Sequence, residues 1–191
     1  MRKSVYNHTL ASLLLFFTIV TFGQKEYEAK ASSSVLTLEG KSLSGYKTSF
    51  DFGWEEVRKG WWKYARDFGT PLNMKTYYKV TIPSQTTDGN VNLEIFTQTT
   101  ELKKGSEFFL GLQNKKYQEQ ALVMLLDFKK KFYIQYMVDL LNSTLAKADK
   151  LSNQYIEAET ESEKKEFLEK LNELESSMEQ IKERIREIEK S

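Results

Sequence analysis

The sequence predicts an α+β protein: an antiparallel sheet of four to five strands with two helices on one face, extended by a long C-terminal helical hairpin or coiled coil. Three observations carry this. Between Val35 and Leu112, short runs place apolar residues at every second position, the period of half-buried strands. Trp54 to Phe68 breaks that rhythm with a three- and four-residue repeat. From Tyr117 to Lys190 there is neither Gly nor Pro, and the last part carries a heptad seam.

The chain starts with the marks of an export signal. Arg2 and Lys3 form a positive start, and Leu10 to Phe22 is a weakly polar to apolar run of 13 residues. A bilayer span needs about 20, so the length fits a signal core. Cleavage near Gly23/Gln24 would leave the mature chain in the periplasm or at the cell surface, with no integral membrane span. Thr21 is bulkier than the usual Ala at the third position before such a cut, and an uncleaved anchor is the alternative. No cysteine follows the run, which excludes a lipoprotein anchor. The division expected is a signal at 1–23, a mobile lead-in at 24–34, an α+β head at 35–141 and a helical extension at 142–191.

Within the head, Val35 to Gly40 begins a strand, and Tyr46, Thr48, Phe50 and Phe52 share a face of the next run. Gly45 lies between them, in a hairpin or one bent edge strand. Trp54, Val57, Trp61, Tyr64, Ala65 and Phe68 then form the buried stripe of a helix, started by Asp51 or Gly53 and ended by Gly69-Thr70-Pro71. Gly60, inside it, costs up to about 1 kcal/mol against Ala; close approach to the sheet would explain it. Met74, Thr76, Tyr78, Val80 and Ile82 alternate with Lys75, Tyr77, Lys79 and Thr81 in a further strand. Pro83 stops it, and Asp88-Gly89 signals a hairpin into the strand through Val91, Leu93, Ile95 and Thr97. Lys103-Lys104-Gly105 turns into the last strand at Glu107 to Leu112. This order of elements is TATA-binding-protein-like or helix-grip-like, an analogy that carries no function.

Ala121 to Leu126 and Phe132 to Leu141 are apolar nearly all round and should lie across the sheet. Beyond Leu141 the stripe narrows to Leu145, Ala148, Leu151 and Tyr155. The distal seam is Phe167, Leu171, Leu174, Met178, Ile181, Ile185 and Ile188. Carried backwards by heptads it meets polar residues, so the two stripes are out of phase. Either the helix folds back at Ala158 to Ser162 or it passes through a stutter. Thr160 with Glu163 fits a capping box and favours the turn; the lack of Gly and Pro favours continuity. The proximal stripe is only about 20 Å long and the seam about 30 Å. Part of the seam is therefore expected to remain for a partner, and the tail to be separable from the head.

Formal net charge is +1, but from Glu157 onward there are twelve acids against seven bases, and from Gln24 to Ile156 fifteen against nineteen. A mildly basic head carries an acidic tail, which ordinary solvation of a charged helix explains, and an exported chain of net charge near zero gives nucleic acid little support. There is no Cys, and the one His, His8, lies in the signal. Thiol and imidazole nucleophiles, disulfides and Cys/His zinc sites are thereby excluded from the mature chain. Glycine-rich phosphate loops and the usual calcium loop are absent, and no cofactor is implied. Asp51, Glu55, Asp67, Glu94 and Glu107 are available for carboxylate hydrolysis, but no spacing selects a pair.

Two surfaces are candidate ligand sites. Trp62 lies off the buried stripe between Arg58 and Arg66, flanked by Lys59 and Lys63, suited to stacking on a sugar or holding an anion. Lys75, Tyr77 and Lys79 form a row on one strand face. A rim tryptophan under arginine stems, and an ordinary solvated strand face, are the plain alternatives.

Thr21-Phe22-Gly23-Gln24 at the signal end, Leu38-Glu39-Gly40, Trp61-Trp62-Lys63-Tyr64 and the Glu/Lys-rich tail resemble uncharacterised exported proteins of Bacteroidota, with a small α+β head and a coiled-coil tail. The resemblance implies localisation and architecture and assigns no functional residue. The function expected is a non-catalytic interaction or structural protein of the cell envelope, associating with a protein partner or itself through the C-terminal helices. A head that binds glycan or lipid comes second, and a carboxylate-dependent hydrolase third.

Overall fold

A computed structural model describes residues 25–83 and 92–191. The signal at 1–23 and the Asp88-Gly89 turn lie outside the described residues. Six strands follow in the order β1 (Ser32–Leu38), β2 (Lys41–Phe50), β3 (Thr70–Asn73), β4 (Tyr78–Ile82), β5 (Leu93–Glu101) and β6 (Ser106–Leu112). They form one antiparallel sheet with spatial order β1-β2-β6-β5-β4-β3. α1 (Trp54–Ala65) sits between β2 and β3, and α2 (Gln118–Glu157) and α3 (Glu161–Lys190) end the chain. The class is α+β as expected, with six strands where four to five were read.

The additional strand is β3. Thr70 and Pro71 read as a helix stop, and they do follow α1, but Thr70–Asn73 also pairs with β4 as the sheet's outer edge, where proline's missing donor costs nothing. The run from Met74 to Ile82 is therefore not one strand. Its first half is a turn with Lys75 at φ 70°, and pairing resumes at Tyr78. Arg58 of α1 holds that turn: its Nη2 donates to Asn73 Oδ1 at 2.7 Å and to the Lys75 carbonyl at 2.8 Å.

The first hairpin also turns earlier than read. Glu39 and Gly40, at φ 50° and 76°, make a two-residue turn between Leu38 and Lys41, the geometry that matches strand twist. Gly45 lies inside β2, opposite Gly111 of β6. A Cβ there would stand 2.2 Å from the Leu110 carbonyl oxygen. This close approach lets β1 and β2 curl over the sheet's second face. Tyr77 Oη donates to Glu39 Oε1 at 2.9 Å, although β6 and β5 separate β2 from β4. At about 4.8 Å per strand a flat sheet could not make that bond.

The core lies between the sheet and the two helices on its other face. Phe50, Trp61, Phe108 and Phe128 are fully buried there, with ring centroids 5.1 to 6.2 Å apart in edge and tilted arrangements. Gly60 faces Phe132 of α2, whose ring would be 2.4 Å from an added Cβ. The close approach expected at Gly60 is thus to a helix and not to the sheet.

α2 ends at Glu157, Ala158 is extended, and Thr160 caps α3. Thr160 Oγ1 accepts from the Glu163 backbone N–H at 3.2 Å, and Glu163 Oε2 accepts from the Thr160 N–H at 3.1 Å. The helix folds back into a hairpin. The seam packs along α2: Phe167, Leu171, Leu174, Met178 and Ile185 are half-buried, and Ile181 and Ile188 buried. The stripe-length argument fails because α2 residues assigned wholly to the sheet also face α3. Met137 and Leu140 meet Ile181 across one cleft. A helix apolar nearly all round serves two partners.

Ile181 and Ile188 belong to the same apolar cluster as Phe128 and Trp61, so the end of α3 is part of the head's core. Lys130 Nζ donates to the Glu189 carbonyl at 2.7 Å, a cation at a helix C-terminus. At the other end of the chain, residues 25–31 are held down where a mobile lead-in was expected. The Glu26 N–H donates to Asp51 Oδ2 at 2.9 Å, Tyr27 stacks edge-on against Tyr133 at 5.5 Å, and the Lys30 carbonyl accepts from Thr48 Oγ1 at 2.6 Å.

Candidate functional site

The structure places the residues read around Trp62 in a different arrangement. Trp62 lies half-buried on α1, one position from fully buried Trp61. The helix presents it towards β4, where its ring meets Tyr78 at 5.2 Å and 47°. Lys59, Lys63 and Asn73 complete a shallow shelf of about 350 Å³. Among the described residues neither Lys59 nor Lys63 has a carboxylate within ion-pair distance, although Glu55 and Asp67 stand four residues away on the helix side. Two free ammoniums beside a tilted aromatic pair and an amide suit a group with an apolar or ring face and negative charge.

The remaining predicted residues divide. Arg58 contributes indirectly: its guanidinium lies 4.7 Å from the Tyr78 ring and is committed to Asn73 and Lys75. It supports the shelf and does not clamp Trp62 from one side. Arg66 caps the end of α1 and is exposed, outside the shelf's lining. The Lys75, Tyr77 and Lys79 row does not form. Lys75 is in the turn, Tyr77 is buried against Glu39, and Lys79 pairs with Glu94 at 2.5 Å. The Glu39 hydrogen bond keeps the Tyr77 hydroxyl protonated above its ordinary range.

The division between the two tryptophans is measurable. Trp61→Ala should cost about 3 kcal/mol or more, because a buried indole leaves a large cavity. Trp62→Ala should stay within about 1 kcal/mol. Urea midpoints of the two variants check this, and equal losses would place Trp62 in the core.

A second polar cluster escaped the sequence reading. Lys129 is 4 % exposed and donates from Nζ to Thr48 Oγ1 at 3.0 Å. No carboxylate lies within ion-pair distance of it among the described residues. Tyr133, one turn on, accepts from the Asp51 N–H at 3.2 Å, and burial pushes its pKa up to about 12. In sequence, Lys129 opens a run of three lysines that looks solvated. Its phase says otherwise: Ala121, Leu125, Lys129, Tyr133 and Met137 recur every four residues, and all are buried.

Burial pushes the Lys129 pKa below the usual lysine value, while the carboxylates of Glu28 and Asp51 pull it upward. Between the lowered value and the unfolded one, about 10.4, the unfolded chain holds more protons on this group. Stability therefore rises with pH across that interval. Lys129→Met should remove the rise and add on the order of 1 kcal/mol at neutral pH, since the Thr48 hydroxyl keeps its bond to Lys30. Denaturant midpoints at pH 7 and pH 10 test it. A Met variant less stable than the parent at pH 7 would show that the ammonium holds the fold together.

A cleft of about 480 Å³ lies between Lys25-Glu26, α2 and α3. Of its acids, Glu183 and Glu187 are paired with Arg186 and Arg184 at 2.7 and 2.8 Å, and Glu26 lies on the N-terminal wall. Among the described residues no group of three or more potential ligands is placed to hold a metal, and no helix is long and apolar enough to cross a membrane. Comparisons with family models, curated proteins and solved structures find no match.

Proposed function

We propose that this is an exported, non-catalytic interaction protein of the cell envelope, in which the head anchors a rigid arm and the arm presents its tip. The carrying observation is the distribution of apolar surface along the hairpin. The seam is covered within the chain, yet Ile156 is 76 % and Tyr155 36 % exposed beside the turn, with Leu168 exposed two helical turns along α3; Leu145 and Val123 are also exposed further down α2. Two adjacent large apolar side chains left in water at the end of a long arm form the kind of patch a contact surface uses. The helix-grip-like order of elements supplies the platform and no chemistry.

The test is a benzophenone amino acid in place of Ile156 in cells producing the full chain. Illumination should give protein adducts from position 156 and none from exposed Lys147 on the arm's flank. An absence of adducts at 156 would overturn the reading.

The shelf favours a second reading, in which the head binds an acidic glycan by ring stacking on Trp62 and Tyr78 with Lys59 and Lys63 on the charge. Uronate oligosaccharides would then quench tryptophan emission in the parent and not in Trp62→Ala. A lipid between sheet and helices has no such support, because that layer is filled by Phe50, Trp61, Phe108 and Phe128.

A further inference from the structure

The arm's tip and the head's shelf are complementary in shape and charge, and we infer that the tip of one copy docks on the Trp62 shelf of another. The tip is convex and apolar at Tyr155 and Ile156. Around it, Glu157, Glu159, Glu161 and Glu163 place four acids in seven residues; Glu161 pairs with Lys164 at 3.2 Å and Glu163 is held in the Thr160 cap, which leaves Glu157 and Glu159 without a cation partner among the described residues. The shelf is concave and aromatic at Trp62 and Tyr78, and its rim carries Lys59 and Lys63 without carboxylate partners among the described residues. A volume of about 350 Å³ admits an isoleucine and part of a second side chain. The acidic collar would then meet the two ammoniums. An anionic membrane surface, the other usual taker of an apolar tip, is disfavoured by the same collar.

The two surfaces cannot meet within one chain. α2 is continuous over 40 residues, and the last α2 residues packed on the head's core are Leu140 and Leu141. Sixteen residues of helix beyond Leu141 carry the tip about 24 Å away from the head. The contact is therefore heterologous, joining different patches on two copies. Such contacts do not close on themselves unless the rotation makes a ring, so they grow linear chains. The inference rests on the interaction reading above and names the partner for it. It also accounts for the acidic tail on a basic head, since exposed charges of opposite sign at the two ends steer association and weaken with salt.

The experiment is sedimentation of the chain from Gln24 onwards, at concentrations up to about 1 mM and at low and high salt, concentrations suited to a small interface. The parent should grow in mean mass with concentration and return to monomer in high salt. Ile156→Asp alters only the tip, and Lys59→Glu with Lys63→Glu alters only the shelf rim. All three positions are exposed, and unchanged near-UV circular dichroism confirms the fold. Each variant alone should remain monomeric. Mixed in equal amounts they should form dimers that grow no further, one intact tip meeting one intact shelf. Trp62→Ala should behave as the shelf variant does. A parent that stays monomeric, variants that still associate, or a mixture that stays monomeric would each overturn the inference. Adducts from position 156 to a different protein, with a monomeric parent, would sink the self-pairing and leave the interaction reading standing; no adducts and no association would sink both.

Discussion

Gly45→Ala is expected to cost about 3 kcal/mol or more, at the upper end of what one added methyl does to a packed interior. In a chain of this size that corresponds to a melting midpoint lower by about 6 to 12 °C. The added Cβ would lie 2.2 Å from the Leu110 carbonyl oxygen and 2.6 Å from Gly111 Cα. Both belong to the backbone of β6, a central strand paired with β2 and β5, so neither can withdraw without breaking a ladder. The separation would reopen the curl that brings Glu39 to Tyr77. Gly60→Ala provides the contrast. Its obstacle is the Phe132 ring at 2.4 Å, a side chain that can tilt, and Ala gains up to about 1 kcal/mol of helix propensity. The loss at Gly60 should be clearly smaller. Urea unfolding of both variants tests the account, and a Gly45→Ala protein within about 1 kcal/mol of the parent would show that the strands separate without cost.

The parts of this fold that were legible in the sequence are those whose signal is local. Alternation marks β4 and β5, and the three- to four-residue repeat marks α1, because each buries one face; β6, buried on both faces, reads as a continuous apolar run between turn signals. The capping box of Thr160 and Glu163 favoured a turn between α2 and α3, since it is made within four residues, but the lack of Gly and Pro left a continuous helix open. What stayed hidden depends on distant contacts. Nothing near Lys75 announces a positive φ; the turn there is held by Arg58, 17 residues earlier. Tyr77 has the alternation of an exposed strand residue and is buried by a hairpin tip 38 residues away. For the shelf, the off-stripe phase of Trp62 identified the surface, but its neighbours Tyr78 and Asn73 come from strands whose placement no spacing specifies. Lys129 is a different kind of miss. Its four-residue phase with Leu125 and Tyr133 was present in the sequence and was outweighed by its charge.

Removal of α3, residues 159–191, should leave no cooperatively folded head, the opposite of what a separable tail would allow. Ile181 and Ile188 are 7 % and 2 % exposed and sit in the core cluster with Phe128, Tyr133 and Met137. Truncating both to Ala should cost about 5 kcal/mol, as much as the whole stability of many domains. Deleting the helix removes these two residues and uncovers the second face of α2 as well, so Met137, Leu140 and Leu141 enter water. The Lys130 bond to the Glu189 carbonyl is lost with them. The truncated chain should keep much of its far-UV circular dichroism, lose the near-UV signal of its packed rings and bind a hydrophobic dye. Leu171→Ala is the control. It lies half-buried in the middle of the arm, outside the core cluster, and should cost about 1 to 2 kcal/mol with the near-UV spectrum intact. A truncated head that keeps its near-UV spectrum and melts cooperatively would mean that Ile181 and Ile188 only cover a core already complete without them.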